Sequence, residues 1–211
     1  MTTSPEELPP PYPPRIRGFW QSFTHAWNGL VHTVVHQPNM RTHVTSGLLV
    51  ALVGSGIPLG LAEKVTLLFC VMLVFFAEIL NSALESLVDL ATRHFDEEAR
   101  ITKDAAAAGV LVLSIGTVVI FAALLVHNWD TVVAHLGDVQ RQAALGVPLV
   151  GCAIFLMRAH HPALWMDLVA FGAAIGIWGL LALRSTSYVF SAMTLGLLVL
   201  TLAAALNKRH L

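Results

Sequence analysis

Three carboxylates and an amide stand in register inside an apolar stretch. They are Glu78, Asn81, Glu85 and Asp89 in AEILNSALESLVD, residues 77–89, directly after VTLLFCVMLVFF. On a helix turning about 100° per residue, with Glu78 at zero, Asn81 falls near about −60°, Glu85 near about −20° and Asp89 near about +20°. Ile79, Leu87 and Leu90 take the opposite side, while Ser82, Ala83 and Ser86 are small enough to let another helix approach. An ionised carboxylate in hydrocarbon is costly. Three on one face call for a shared polar cavity, a cation or protons. A structural polar seam between helices is the other reading, but one such residue would satisfy it. The stripe runs from mid-helix toward the loop ATRHFDEEARITKD, a polar track suited to chemistry between a lipid headgroup and a soluble reagent.

That loop mixes charges: Arg93, His94, Asp96, Glu97, Glu98, Arg100, Lys103 and Asp104. Lys103 and Asp104 precede the apolar AAAAGVLVLSIG, so Lys103 is placed near a helix N-terminus, where backbone N–H groups also favour anions. A lone lysine there reads as an interfacial anchor; beside an acidic stripe it reads as a phosphate partner. The chemistry that uses all of these groups is phosphoryl transfer. Mg²⁺ on nucleotide phosphates takes hard oxygen ligands. An attacking alcohol needs a carboxylate base, and developing charge needs a cation. There is no GxxxxGK[ST] and no soluble-kinase motif set.

The elements that must position these groups are membrane helices. The chain has 211 residues, 56% hydrophobic and 12% charged, with mean hydropathy +0.72. Long apolar runs joined by short polar links mean an all-α polytopic membrane protein. A net charge of −1 gives no basic surplus for nucleic acid. Residues 1–14, MTTSPEELPPPYPP, predict a disordered proline-rich tail without signal-peptide character. From Arg15 to about His36, Phe19, Phe23, Trp27, Leu30, Val31 and Val34 recur at helical steps between polar residues. That pattern predicts an amphipathic helix at the membrane surface or against a neighbouring protein surface, ended by Pro38.

About six spans follow, near 44–61, 65–90, 105–126, 143–157, 163–183 and 187–206, with 127–142 as an extracytoplasmic link. With the N-terminus cytoplasmic, Arg15, Arg17, Arg41, Arg93, Arg100, Lys103, Arg158, Lys208 and Arg209 face inward. Lys64, Arg141 and Arg184 face outward, which satisfies the positive-inside rule and returns the C-terminus to the cytoplasm. Cys70 and Cys152 lie in apolar runs and read as buried thiols.

Glu78-x-x-Asn81-x-x-x-Glu85-x-x-x-Asp89 followed by Lys103-Asp104 resembles the prokaryotic diacylglycerol kinase family, which includes undecaprenol kinases. The upstream AWNGL (26–30) and NMRTH (39–43) share the resemblance, which covers residues 15–126. It implies a small enzyme of the bacterial inner membrane: a surface helix, three spans and a homotrimer with composite sites, using ATP and Mg²⁺ to phosphorylate a lipid alcohol at the cytoplasmic face. The implied roles are Glu78 as base for the lipid hydroxyl and Glu85 as metal ligand. Asn81, Glu85, Asp89, His94, Phe95, Asp96, Lys103 and Asp104 would serve ATP. Asn39, Arg41 and His43, with Glu78, would serve the lipid. The family's usual second metal-binding glutamate is Gln37 here, whose amide oxygen can ligate Mg²⁺ without adding charge. The chain also continues past the family's usual end, through about three further spans (143–211).

Two other classes compete. A catalytically silent membrane scaffold would account for Gln37, but has no need of buried acids. A proton- or cation-coupled transporter predicts polar residues spread over several spans, and the last three carry almost none. His32 and His36, and the pair His160-His161, lack a full ligand set and read as interfacial or loop residues. Asp167 reads as a helix N-terminal acid. Gly172, Gly176 and Gly179 predict tight helix packing in 143–211, a region whose sequence carries no phosphatase or transferase motif.

Overall fold

Apolar runs become helices wherever a polar, glycine or proline link lets the chain turn. The computed structural model of the protein describes residues 18–92, 94–158 and 163–208. The tail expected over 1–14 lies outside them, as do Arg15, Arg17, Arg93, His160, His161 and Arg209. The described residues form α1 (Phe19–His36), α2 (Pro38–Ser55), α3 (Leu61–Ala91), α4 (Glu97–His127), α5 (Trp129–Ala134), α6 (Leu136–Met157), α7 (Leu164–Ala182) and α8 (Tyr188–Asn207), with no strand among them.

The surface-helix pattern appears as α1. Phe19, Trp20 and Phe23 are exposed, and Val31, Val34 and Val35 are buried. Pro38 does not leave a gap. Gln37 alone is extended, and Pro38 takes the first position of α2, where its missing N–H costs nothing. The segment expected as a link is largely helical. It contains α5 and the first turns of α6, where Arg141 pairs with Asp138 at 2.8 Å.

Five helices are long and apolar enough to cross a membrane: α3, α4, α6, α7 and α8. α2, expected as the first of about six spans, falls short because Asn39, Arg41, Thr42 and His43 fill its first turns. It is nevertheless the best-covered helix, with Met40, Val44, Leu48 and Ala51 fully buried. A helix wrapped by protein needs less apolar surface than one facing lipid.

α2 packs on α6 and α8 and, less, on α3; α1 lies along α8, and α7 closes on α6 and α8. Leu48, Leu52, Leu149, Ala153, Ala174 and Leu198 form the shared core. The close approaches are not at Gly172, Gly176 and Gly179, where an added Cβ would meet nothing within 4 Å. This corrects the expectation for those three, which do not face a packed partner. The contacts fall instead at Gly54, where a Cβ would sit 2.6 Å from the Phe190 ring, and at Gly146, 2.6 Å from Leu52. The far ends are stitched by Thr186, whose Oγ1 donates to Ser55 O (3.0 Å) and Ile57 O (2.9 Å).

α3 and α4 stand apart as a long antiparallel hairpin. One end is tied by Asn128 Nδ2 donating to Glu63 Oε1 at 2.8 Å and the other by Lys103 on Asp89. α4 packs on α3 and little else, and Val110 is its one buried residue.

Candidate active site

The acidic stripe lies on the second half of α3, and its burial is graded. Glu78 is 1% exposed, and neither carboxylate oxygen has a hydrogen-bond partner among the described residues. One turn on, Asn81 is 4% exposed. It donates from Nδ2 to Glu85 Oε1 at 3.2 Å, and its Oδ1 is buried without a partner. Glu85 is half-buried and Asp89 exposed. Ser82 and Ser86 turn their hydroxyls onto the carbonyls of Glu78 (2.8 Å) and Ser82 (2.9 Å). The polar stripe therefore emerges from the bundle over three turns, and the deepest acid is the least satisfied.

At the exposed end α4 joins the stripe. Lys103 Nζ donates to Asp89 Oδ1 at 2.5 Å across the hairpin. Asp96 caps α4, its Oδ1 accepting from Ala99 N at 2.9 Å, which fixes where α4 starts and hence where Lys103 falls. Arg100 reaches Asp104 Oδ2 at 2.7 Å and both oxygens of Glu97. His94 and Phe95 lie in the connecting turn; Phe95 is 85% exposed, and Thr92 Oγ1 donates to His94 O at 3.1 Å.

The α1–α2 elbow supplies the remaining residues. Gln37 is half-buried, Asn39 exposed and His43 half-buried. Arg41 turns back to the end of α1, donating from Nε to Val34 O at 3.0 Å and from its terminal nitrogen to Val35 O. In the single chain Arg41 thus braces the elbow. Outside the spans, burial and the neighbouring His36 hold His32 below the ordinary histidine value; the two rings stack at 4.0 Å.

Thus α3 and α4 bring Glu78, Asn81, Glu85, Asp89, Lys103 and Asp104 onto one hairpin. Among the described residues no hydrogen bond or ion pair joins Gln37, Asn39 or His43 to it. Among the described residues no three His, Cys, Asp or Glu side chains gather as a metal site. Sequence reasoning passed over Arg100. Its i−3 and i+4 acids, Glu97 and Asp104, are the pattern that finds such a residue. It also named Asp89 and Lys103 separately without pairing them.

An all-helical, multiply spanning protein with graded acids facing a lysine is a membrane enzyme in outline. Residues 24–125 match the family described as prokaryotic diacylglycerol kinase. Over 129 residues the chain is 34% identical to a diacylglycerol kinase of Synechocystis, covering 57% of this chain and 74% of that protein. It is 31% identical to the undecaprenol kinase of Bacillus subtilis (47% and 81%) and 31% identical to the diacylglycerol kinase of Escherichia coli K12 (48% and 83%). No solved structure gives a significant match. The chain belongs to the prokaryotic diacylglycerol kinase family, and is by that membership a lipid kinase, a phosphotransferase. The match ends at the close of α4; α5 to α8 lie beyond it.

Proposed function

We propose that the protein transfers the γ-phosphoryl group of ATP to the hydroxyl of a membrane lipid alcohol, diacylglycerol or undecaprenol. The observation that carries this reading is Glu78, a buried carboxylate with no partner for either oxygen among the described residues. A group so expensive to bury persists where its function is to accept a proton. Glu78 takes the proton of the lipid hydroxyl. A bond forms from that oxygen to the γ-phosphorus, the bond from the γ-phosphorus to its bridging oxygen breaks, and ADP leaves. Lys103, at the exposed end of the stripe, offsets the phosphate charge, with Asp89 holding it in place.

Mg²⁺ suits the donors present. Glu85 and the unpartnered Oδ1 of Asn81 are hard oxygens, and Mg²⁺ uses one or two protein oxygens alongside waters and substrate phosphates. Bound with ATP, it would neutralise phosphate charge. Gln37, Asn39, Arg41 and His43 belong to the elbow, and in this reading they meet the hairpin of a second subunit. The exposed face of α3 and α4, with Phe69, Met72, Phe76, Leu111, Ile115 and Val118, suits that homotrimeric contact. The enzyme sits in the bacterial inner membrane with both termini cytoplasmic, α2 crossing as a sixth, protein-wrapped span beside the five apolar ones.

The test is labelled ATP with Mg²⁺ in mixed micelles, each lipid offered separately. Glu78→Gln should lose activity by about 100-fold or more, the weight of a general base, while the protein remains folded. Labelled lipid formed equally by the variant would remove Glu78 from the reaction. Gln37 favours a second reading, a silent scaffold retaining the family fold. No labelled product from either lipid, with a folded oligomer, would support it.

A further inference from the structure

A groove of about 470 Å³ opens between α6 and α7, and no residue of the acidic stripe lines it. Gly151, Cys152 and Phe155 line it from α6, and Trp165, Val169 and Ala173 from α7. The walls are almost wholly apolar, and Gly151 leaves open space where a side chain would stand. One end is different. The Arg158 guanidinium lies over the Phe155 ring, 3.3 Å from its centroid, and donates to Phe155 O at 3.3 Å. Among the described residues no carboxylate pairs with Arg158.

The surroundings of Arg158 are positive. Lys208 and Arg41 are close enough for the charges to act on one another, answered by buried Asp167. Arg41 is engaged with α1 and Lys208 with α6, to whose terminal Met157 O and Arg158 O it donates at 2.6 and 2.5 Å. Those carbonyls are the negative end of α6 and would repel an anion; Lys208 cancels them. Arg158 is left as the cation beside the groove, and Trp165 marks the depth of the membrane interface.

We propose that this groove binds an anionic phospholipid of the surrounding bilayer, with an acyl chain between α6 and α7 and the headgroup phosphate on Arg158. The charge selects the occupant, since a zwitterionic lipid gains the apolar wall but little from Arg158. The site belongs wholly to the region outside the family match and is independent of the phosphotransfer reading.

The test uses the full chain in phosphatidylcholine nanodiscs, doped with dibrominated phosphatidylglycerol or, separately, dibrominated phosphatidylcholine. Bromine quenches nearby tryptophan, and subtracting the Trp165→Phe signal isolates Trp165. The anionic lipid should quench Trp165 at about fivefold lower mole fraction, the effect of one arginine near anionic headgroups. Arg158→Gln should abolish that preference. Gly151→Leu should weaken quenching by both lipids. Equal quenching by the two lipids in the wild type, or a preference untouched by Arg158→Gln, would overturn the proposal.

Discussion

The α3–α4 hairpin and the α6–α8 bundle treat polar groups in opposite ways. On α3, Glu78 and Asn81 are buried with oxygens left unpartnered among the described residues. In the bundle, buried polar groups are mostly tied to carbonyls: Thr194 to Phe190 O, Thr201 to Leu198 O and Lys208 to the end of α6. Hydrocarbon offers no substitute partners, so the unsatisfied acid and amide of α3 mark a place of work. Packing divides the same way. The bundle is locked around α2 by glycine contacts, whereas α4 touches little besides α3.

The sharpest way to break this contrast is at the hairpin's charged end. Lys103→Met should lower lipid phosphorylation by about 10- to 100-fold. It should shift stability by less than about 1 kcal/mol, because an exposed ion pair contributes little. Activity assays beside thermal unfolding in detergent separate the two effects, and equal losses in both would make the lysine a strut.

Packing gives the next largest effect. Gly54→Ala pushes a methyl into the Phe190 ring and should destabilise by about 1–3 kcal/mol. Gly116→Ala on α4, with open space around it, should be neutral or stabilising in the monomer. If Gly116→Ala proves costly in the assembled protein, α4 has a close neighbour that the single chain does not supply.

A smaller effect concerns pH. Burial lowers Lys208 from 10.5 to about 8. The unfolded chain therefore holds the Lys208 proton between pH 8 and 10.5 where the folded one has released it. Stability from this group rises with pH across that window, and below it the buried charge is a constant cost. Lys208→Met should flatten the difference between melting temperatures at pH 7.5 and pH 10. A wild-type curve already flat there would place the ammonium in water.

The smallest change is expected at Gln142, buried in α6 with its Oε1 unpartnered and its Nε2 on Leu181 O at 3.4 Å. Gln142→Leu should leave activity intact and shift stability by less than about 1 kcal/mol, since removing the amide also removes its unmet acceptor. A loss of activity would show that the contrast between the regions is incomplete.

Much of this was legible in the sequence where one segment contained the whole signal. α7 and α8 fall within a residue or so of the apolar runs that announced them, because membrane helices end where polarity begins. The acidic stripe needed only helical spacing. What could not be read was set by partners distant in the chain. α2 begins earlier than expected, since Pro38 as a breaker and Pro38 as a first helical residue look alike until Gln37 is seen extended. The first two turns of α6 carry Asp138 and Arg141, so they read as a link. The three glycines of α7 looked like packing residues, while Gly54 and Gly146, which are, gave no sign of Phe190 and Leu52 across from them. The pairing of Asp89 with Lys103 likewise depends on where Asp96 starts α4.

The buried position of α2 has a consequence for assembly. α2 emerges from the ribosome well before the helices that cover it, α6 and α8, have been made. During that interval a helix tipped with Asn39, Arg41 and His43 has α1 and α3 for company, while Leu48 and Leu52 wait for Leu149, Leu198 and Gly146. The last half of the chain therefore completes the seating of the first half.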